Sequence, residues 1–203
     1  MRYNNGVWFN GASDNSTFYV SFSQSHDDGI IPTSADSYNK YTFSARATHK
    51  VKSITLSAAM NYAYQKNNYV TTGQGATSMW NSLLQTPRDI SIAEMKDLSD
   101  PFNNPGYYYT PYGVTNPYYI LENYQNKYAN ERFYGKFQID YDFLKFFKLT
   151  YRLGYDTNTG DHNQAQPNLS QLYKDTPNYE EALKSLTGMV YERTTRQREM
   201  DNN

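Results

Sequence analysis

The feature that most constrains this chain is a period-2 alternation of apolar and polar residues, which places successive side chains on opposite faces of a β-strand. The clearest run is Arg132 to Asp142. Phe133, Gly135, Phe137, Ile139 and Tyr141 fall on one face, and Arg132, Tyr134, Lys136, Gln138 and Asp140 on the other. The next run repeats the pattern, with Leu149, Tyr151, Leu153 and Tyr155 opposing Lys148, Thr150, Arg152, Gly154 and Asp156. Two earlier runs agree. Tyr41, Phe43, Ala45 and Ala47 share a face, as do Ile54, Leu56, Ala58, Met60, Tyr62 and Tyr64. Further strands are expected from about Thr17 to Gln24, near Val7 to Gly11, and around Gly188 to Glu199, where charges interrupt the alternation.

The connections narrow the architecture. Ala12 to Ser16, Lys50 to Ser53 and Phe143 to Phe147 are short. His26 to Lys40, Gln65 to Glu131 and Asn158 to Thr187 are long. Short and long alternate strictly, as in an up-and-down transmembrane barrel with short turns on one side and long loops on the other. The longest connection contains short helices, expected around Ala76 to Leu84 and Ile92 to Leu98. Pro87, Pro101, Pro105, Pro111 and Pro117 fix its turns. The expected fold is therefore all-β: a partial, unclosed, antiparallel up-and-down barrel of about seven strands covering residues 1–203, with long extracellular loops.

Composition supports an ordered chain with one wet face. Mean hydropathy is −0.87, yet 17% of residues are aromatic and 22 are Tyr, which a disordered chain would lack. Tyrosine suits membrane interfaces, where the ring is apolar and the hydroxyl wet. No run approaches the roughly 20 apolar residues of a membrane-crossing helix. The net charge of −1 gives no basic field for nucleic acid. The absence of Cys excludes disulfides and thiolate metal sites.

No catalytic constellation emerges, so the chain is expected to be no enzyme and to hold no cofactor or metal. His26, His49 and His162 lie in or beside different connections and are expected at the surface. Asp156 to Asp161 faintly resembles a calcium loop, but its Gly160 comes one position early and no Glu stands at the twelfth position. It reads as the start of an Asx-rich loop. Asn15-Ser16-Thr17 and Asn168-Leu169-Ser170 match glycosylation sequons that turns also produce by chance. Trp80, Tyr107, Tyr108, Tyr109, Tyr112, Tyr118 and Tyr119 concentrate aromatic rings in the longest loop. Most are expected to pack a small core for that loop and a minority to contact substrate, since such rings stack on sugars and peptides. Arg46, Arg132, Lys136 and Arg152 on the polar face would line a wet lumen or contact a plug.

Several stretches, in order, resemble SusC/RagA-type TonB-dependent outer-membrane transporters of Bacteroidetes. Residues 11–31 (GASDNSTFYVSFSQSHDDGII) resemble a turn, strand and Gly-Ile loop start of that family, and residues 38–64 (YNKYTFSARATHKVKSITLSAAMNYAY) its following hairpin. Residues 81–90 (NSLLQTPRDI) and 102–124 (FNNPGYYYTPYGVTNPYYILENY) resemble its long extracellular loop. Residues 130–156 (NERFYGKFQIDYDFLKFFKLTYRLGYD) resemble the next hairpin. The resemblance implies a plugged barrel of about 22 strands that imports glycans or peptides. It implies a SusD-like surface lipoprotein as lid, TonB acting on the plug, and outer-membrane lipid around the wall. No plug, TonB box or signal peptide is recognisable, and Glu199 to Asn203 carries no terminal aromatic. About seven strands are a third of such a barrel, so the chain is expected to be a segment whose partners include the rest of the barrel and the plug. The alternative is a soluble, secreted β-domain that binds carbohydrate through its Tyr-rich loop.

Overall fold

The computed structural model describes residues 1–31, 33, 35–74, 78–104, 116–143, 146–168 and 187–203. Seven strands form one antiparallel sheet in sequence order. They are β1 (Arg2–Ala12), β2 (Ser16–Asp28), β3 (Ser37–Val51), β4 (Ile54–Asn68), β5 (Gln125–Phe143), β6 (Phe147–Gln166) and β7 (Met189–Asn202). Each strand pairs with its sequence neighbours, and β1 and β7 are the two free edges. At the tightest turn, between β3 and β4, Lys52 takes a positive φ of 51° to reverse the chain.

Register aligns the apolar positions across strands. One row reads Phe18, Ala47, Ala58, Phe137, Leu153; the next toward the long loops reads Phe9, Val20, Ala45, Met60, Gly135, Tyr155. Toward the short turns, Leu56, Ile139 and Tyr151 line up, then Ile54, Tyr141 and Leu149, then Phe143 and Phe147. The rings of Tyr141, Phe143 and Phe147 stack at 5.6 and 5.5 Å between centroids. At Gly11 the bare backbone is covered by the Phe18 ring, which a Cβ would strike.

Among the described residues, nothing packs over this apolar face. Phe137 is 40% exposed, Leu149 61% and Phe9 68%. The buried hydrophobic residues among the described ones are Ile31, Met79, Met95 and Ile120, and none lies in a strand. No described helix is long and apolar enough to cross a membrane. In β5 the band runs from Phe133 to Phe143, ten residue steps. At about 3.3–3.4 Å per step and a tilt of about 35–45°, it stands about 23–28 Å tall, matching the roughly 25 Å outer band of transmembrane barrels.

Each of β1 to β6 runs further than its alternation predicts, and the growth is greatest toward the long loops. β5 begins at Gln125 rather than Arg132, and β6 continues to Gln166 rather than stopping near Asp156. There both faces are polar, so the period-2 signal vanishes while the backbone ladder persists. Asp156 to Asp161 is thus strand, correcting the loop-start reading. His26, His49 and His162 are likewise strand residues.

Candidate functional site

Two surfaces carry the polar and aromatic groups: a cap formed by the long loops, and the polar face of the sheet.

The cap is built between β4 and β5. Helix α1 (Met79–Gln85) starts at Ser78, whose hydroxyl accepts from the Asn81 N–H at 3.3 Å. A 3-10 turn follows at Glu94–Lys96. Helix α2 (Pro117–Asn123) starts with Asn116 as its cap and Pro117 in its first turn, where a missing N–H costs nothing. Asn116 is fully buried and holds the cap together. Its Oδ1 accepts from the Tyr118 N–H at 2.9 Å. Its Nδ2 donates to the carbonyls of Met95 at 3.0 Å and Asn103 at 2.7 Å. Asn103 in turn donates to the carbonyls of Glu94 and Asp97.

Ile31 from the β2–β3 loop packs with Met79 and Ile120, flanked by Val70, Trp80, Leu83, Leu121 and Tyr124. Two loops distant in sequence therefore share one small core. An apolar cavity of about 190 Å³ opens beside it, with Trp80 and Tyr118 in its wall. That is below the roughly 300–1,000 Å³ of small-molecule sites, so it has room for a side chain rather than a whole ligand. Burial raises the pKa of the Tyr119 hydroxyl above its ordinary value.

The polar face is laced by cross-strand bonds. Arg132 grips Asp156 through two nitrogens, at 3.1 and 2.6 Å. Near the short turns Asp140, whose side chain is 10% exposed, accepts from Thr150 at 2.6 Å and Gln138 at 2.7 Å. Lys148 stands 3.6 Å from it. His162 bonds Asn126 at 2.9 Å and meets the rings of Tyr128 and Tyr191 edge-on. Such a face is built to meet water or another polar surface. Among the described residues no group of three His, Cys, Asp or Glu is placed to hold a metal.

The fold is similar to that of solved chains of a peptide importer. The RagAB peptide transporter matches with a TM-score of 0.67 over 98% of this chain, at 15% identity. The RagAB peptide importer in its open-open state gives 0.65 over 99% at 17% identity, and in its closed-closed state 0.63 over 99% at 13%. In each case the match covers 21% of the importer chain, so this chain spans about a fifth of the length of the chains it matches. At that identity the likeness concerns the fold: an unclosed, up-and-down, all-β antiparallel sheet. No protein-family model and no curated protein matches the sequence.

Of the aromatic residues singled out in the sequence, Trp80 and Tyr118 meet at the cap cavity, and Tyr119 lies on the same helix as Tyr118. Tyr107, Tyr108, Tyr109 and Tyr112 lie outside the described residues. The residues that organise the cap, Asn116, Met95 and Ile31, were not anticipated. Helix α2 was legible in principle, since Asn-Pro followed by Ile120 and Leu121 is a helix-start pattern.

Proposed function

We propose that this chain is one stretch of the wall of a TonB-dependent importer in the outer membrane, with the apolar face against lipid and the polar face toward the lumen and its plug. The observation that carries the reading is the band itself. A continuous apolar surface of bilayer height lies on a sheet with no hydrophobic core. A soluble sandwich would turn the same side chains inward against a second sheet. The rest of the barrel would pair with the free edges β1 and β7, since open edges in hydrocarbon are untenable. The long-loop side would face the medium, and a SusD-like surface lipoprotein would close over it.

Peptides are the favoured cargo over glycans. The solved chains of like fold are named for peptide import, and the cap cavity is an apolar recess of side-chain size. Trp80, Tyr118 and Tyr119 are the described residues assigned to cargo contact, with Tyr107, Tyr108, Tyr109 and Tyr112 beside them in sequence.

This stretch has no Cys, so a single Cys introduced into it can be spin-labelled in the whole protein in lipid vesicles once any Cys elsewhere is replaced. Single Cys replacements at positions 148 to 155 should show oxygen accessibility alternating with period 2, highest at 149, 151, 153 and 155. A flat profile, or maxima on the even positions, would sink the lipid-facing assignment. Uptake of labelled oligopeptides should stop when the proton gradient is collapsed; uptake that persists would exclude TonB coupling.

A further inference from the structure

Register shows where the apolar face stops. On the long-loop side its last residue is Tyr41 on β3, Tyr64 on β4, Phe133 on β5, Tyr155 on β6 and Met200 on β7. Three of those five are tyrosines, and aromatic girdles mark the water interfaces of transmembrane barrels. One step beyond Met200 the same face of β7 presents Arg198, and the next step presents Arg196. They stand opposite Thr157 and Thr159 of β6. All of β7 is exposed. Two guanidinium groups, with two threonines beside them, therefore lie on the outer surface directly above the apolar boundary. The arginines are about 7 Å apart along the strand.

The protein does not use this pair internally. Among the described residues neither arginine makes an ion pair. The nearest carboxylates of that face in register accept from other groups. Asp161 accepts from the Thr194 hydroxyl at 2.6 Å, and Glu131 from the Tyr62 hydroxyl at 2.9 Å. Glu192 stands four residues further along β7 from Arg196. On the polar face the opposite holds, where Arg132 grips Asp156 through two nitrogens.

Height decides what such a pair meets. An Arg on the lipid face is costly at mid-bilayer and nearly free at the interface. Its long stem also covers apolar surface while the charged head stays in water. That accounts for tolerance. Two unpaired guanidinium groups at one spot add a preference for a ligand, because each matches a phosphate with two parallel N–H···O bonds. Directly outside the hydrocarbon of a bilayer lie the lipid headgroups, so the phosphates at this height are those of lipid.

We propose that Arg196 and Arg198 form a site for the phosphate headgroup of an anionic lipid, with Thr157 and Thr159 as hydroxyl donors beside them. The acyl chains below it lie along Tyr155, Met200 and Leu153. The site rests on the lipid-facing reading of the apolar face. Each arginine near an anionic lipid surface strengthens attraction about fivefold, so the pair gives about thirtyfold.

The test uses the whole protein in phosphatidylcholine vesicles, with any Cys elsewhere replaced and a bimane fluorophore on Tyr155→Cys. The vesicles carry a small fraction of lipid with a nitroxide at the top of its acyl chain. That lipid is phosphatidic acid in one series and phosphatidylcholine in the other. Phosphatidic acid should quench at about thirtyfold lower content than phosphatidylcholine. Arg196→Gln with Arg198→Gln should bring the two curves together, and either single change should narrow the gap about fivefold. Arg196→Lys with Arg198→Lys keeps the charge and should retain part of the preference. A fluorophore on Phe22→Cys, which ends the apolar face of β2 before Gln24, should be quenched equally by both lipids. Inorganic phosphate in the buffer should leave the preference in place. Equal quenching at position 155, a preference that survives loss of both arginines, or a like preference at position 22 would each overturn the proposal. So would a preference abolished by inorganic phosphate, which would mark a site for soluble anions. In all four cases quenching itself persists and the lipid-facing reading stands. Absence of quenching by either lipid at position 155 would sink that reading and the site with it.

Discussion

Replacing Phe137 by Arg tests the two solvents of the sheet most directly. Phe137 lies four residues from Phe133 and six from Phe143, close to the middle of the apolar band. It is paired with Ala58 and Leu153 and is 40% exposed. At about 3.3 Å per residue and a tilt of about 40°, it sits about 10 Å below the upper edge and about 15 Å above the lower one. An Arg on the lipid face at that depth costs about 2–4 kcal/mol. The same change at a water-facing position with this exposure would cost about 0.5 kcal/mol or less. Lys136, its neighbour on the other face, supplies the mirror experiment. Lys136→Leu should stay within about 0.5 kcal/mol of the parent, because that face is wet and the strand ladder is untouched. The assay is urea unfolding of the full-length protein in lipid vesicles, followed by Trp fluorescence. A Phe137→Arg protein as stable as the parent, or a Lys136→Leu protein that loses more than Phe137→Arg does, would refute the assignment of the faces.

Two further outcomes concern the cap. Asn116→Ala removes a helix cap and two bonds to buried carbonyls, a local loss of about 2–4 kcal/mol. Amide exchange over residues 78–104 should accelerate by about 30–1,000-fold, while the exchange of β5 stays at its parent rate. Asp97 accepts from the Ser99 hydroxyl at 2.5 Å and from the Ser99 N–H at 3.0 Å. Those bonds hold its carboxyl below the usual carboxylate value. The lowered value means the turn is fully stabilised above the ordinary carboxylate range near about 4 and loosens as pH falls through the depressed value. An NMR titration in which Asp97 protonates at or above that range would contradict the bonding.

Legibility in the sequence followed the solvent. Where one face is apolar, as from Phe133 to Phe143, alternation located the strands, and the register aligns Leu56, Ile139 and Tyr151 of that face in one row. Where both faces are polar, as around Lys127, Ala129 and Glu131 against Thr159, Asp161 and Asn163, nothing in the side chains marks the ladder, and strand was read as loop. The last strand, expected around Gly188 to Glu199 and found at Met189–Asn202, carries the weakest alternation for the same reason. Its face carries Arg196 and Arg198, which pair in register with Thr159 and Thr157. In the cap, the concentration of rings pointed to Trp80 and Tyr118. The buried Asn116 and the contact of Ile31 with Met79 and Ile120 depend on chain folding between distant loops, and no local pattern encodes that.

The extra length of β5 beyond the band divides the molecule into two evolutionary regimes. From Gln125 to Phe133 is eight residue steps, about 19–22 Å of height at the same tilt range. In the proposed membrane reading, that stem lifts the cap clear of the bilayer on a backbone ladder reinforced by polar cross-strand bonds such as Asn130–Asn158 and Asn126–His162. If the proposed function holds, substitutions above Phe133 are judged by water and by cargo, and those below it by hydrocarbon. Loops can be exchanged or lengthened at the top of such a stem without disturbing insertion. The tolerance of any position in a strand is then set by its altitude as much as by the face on which it lies.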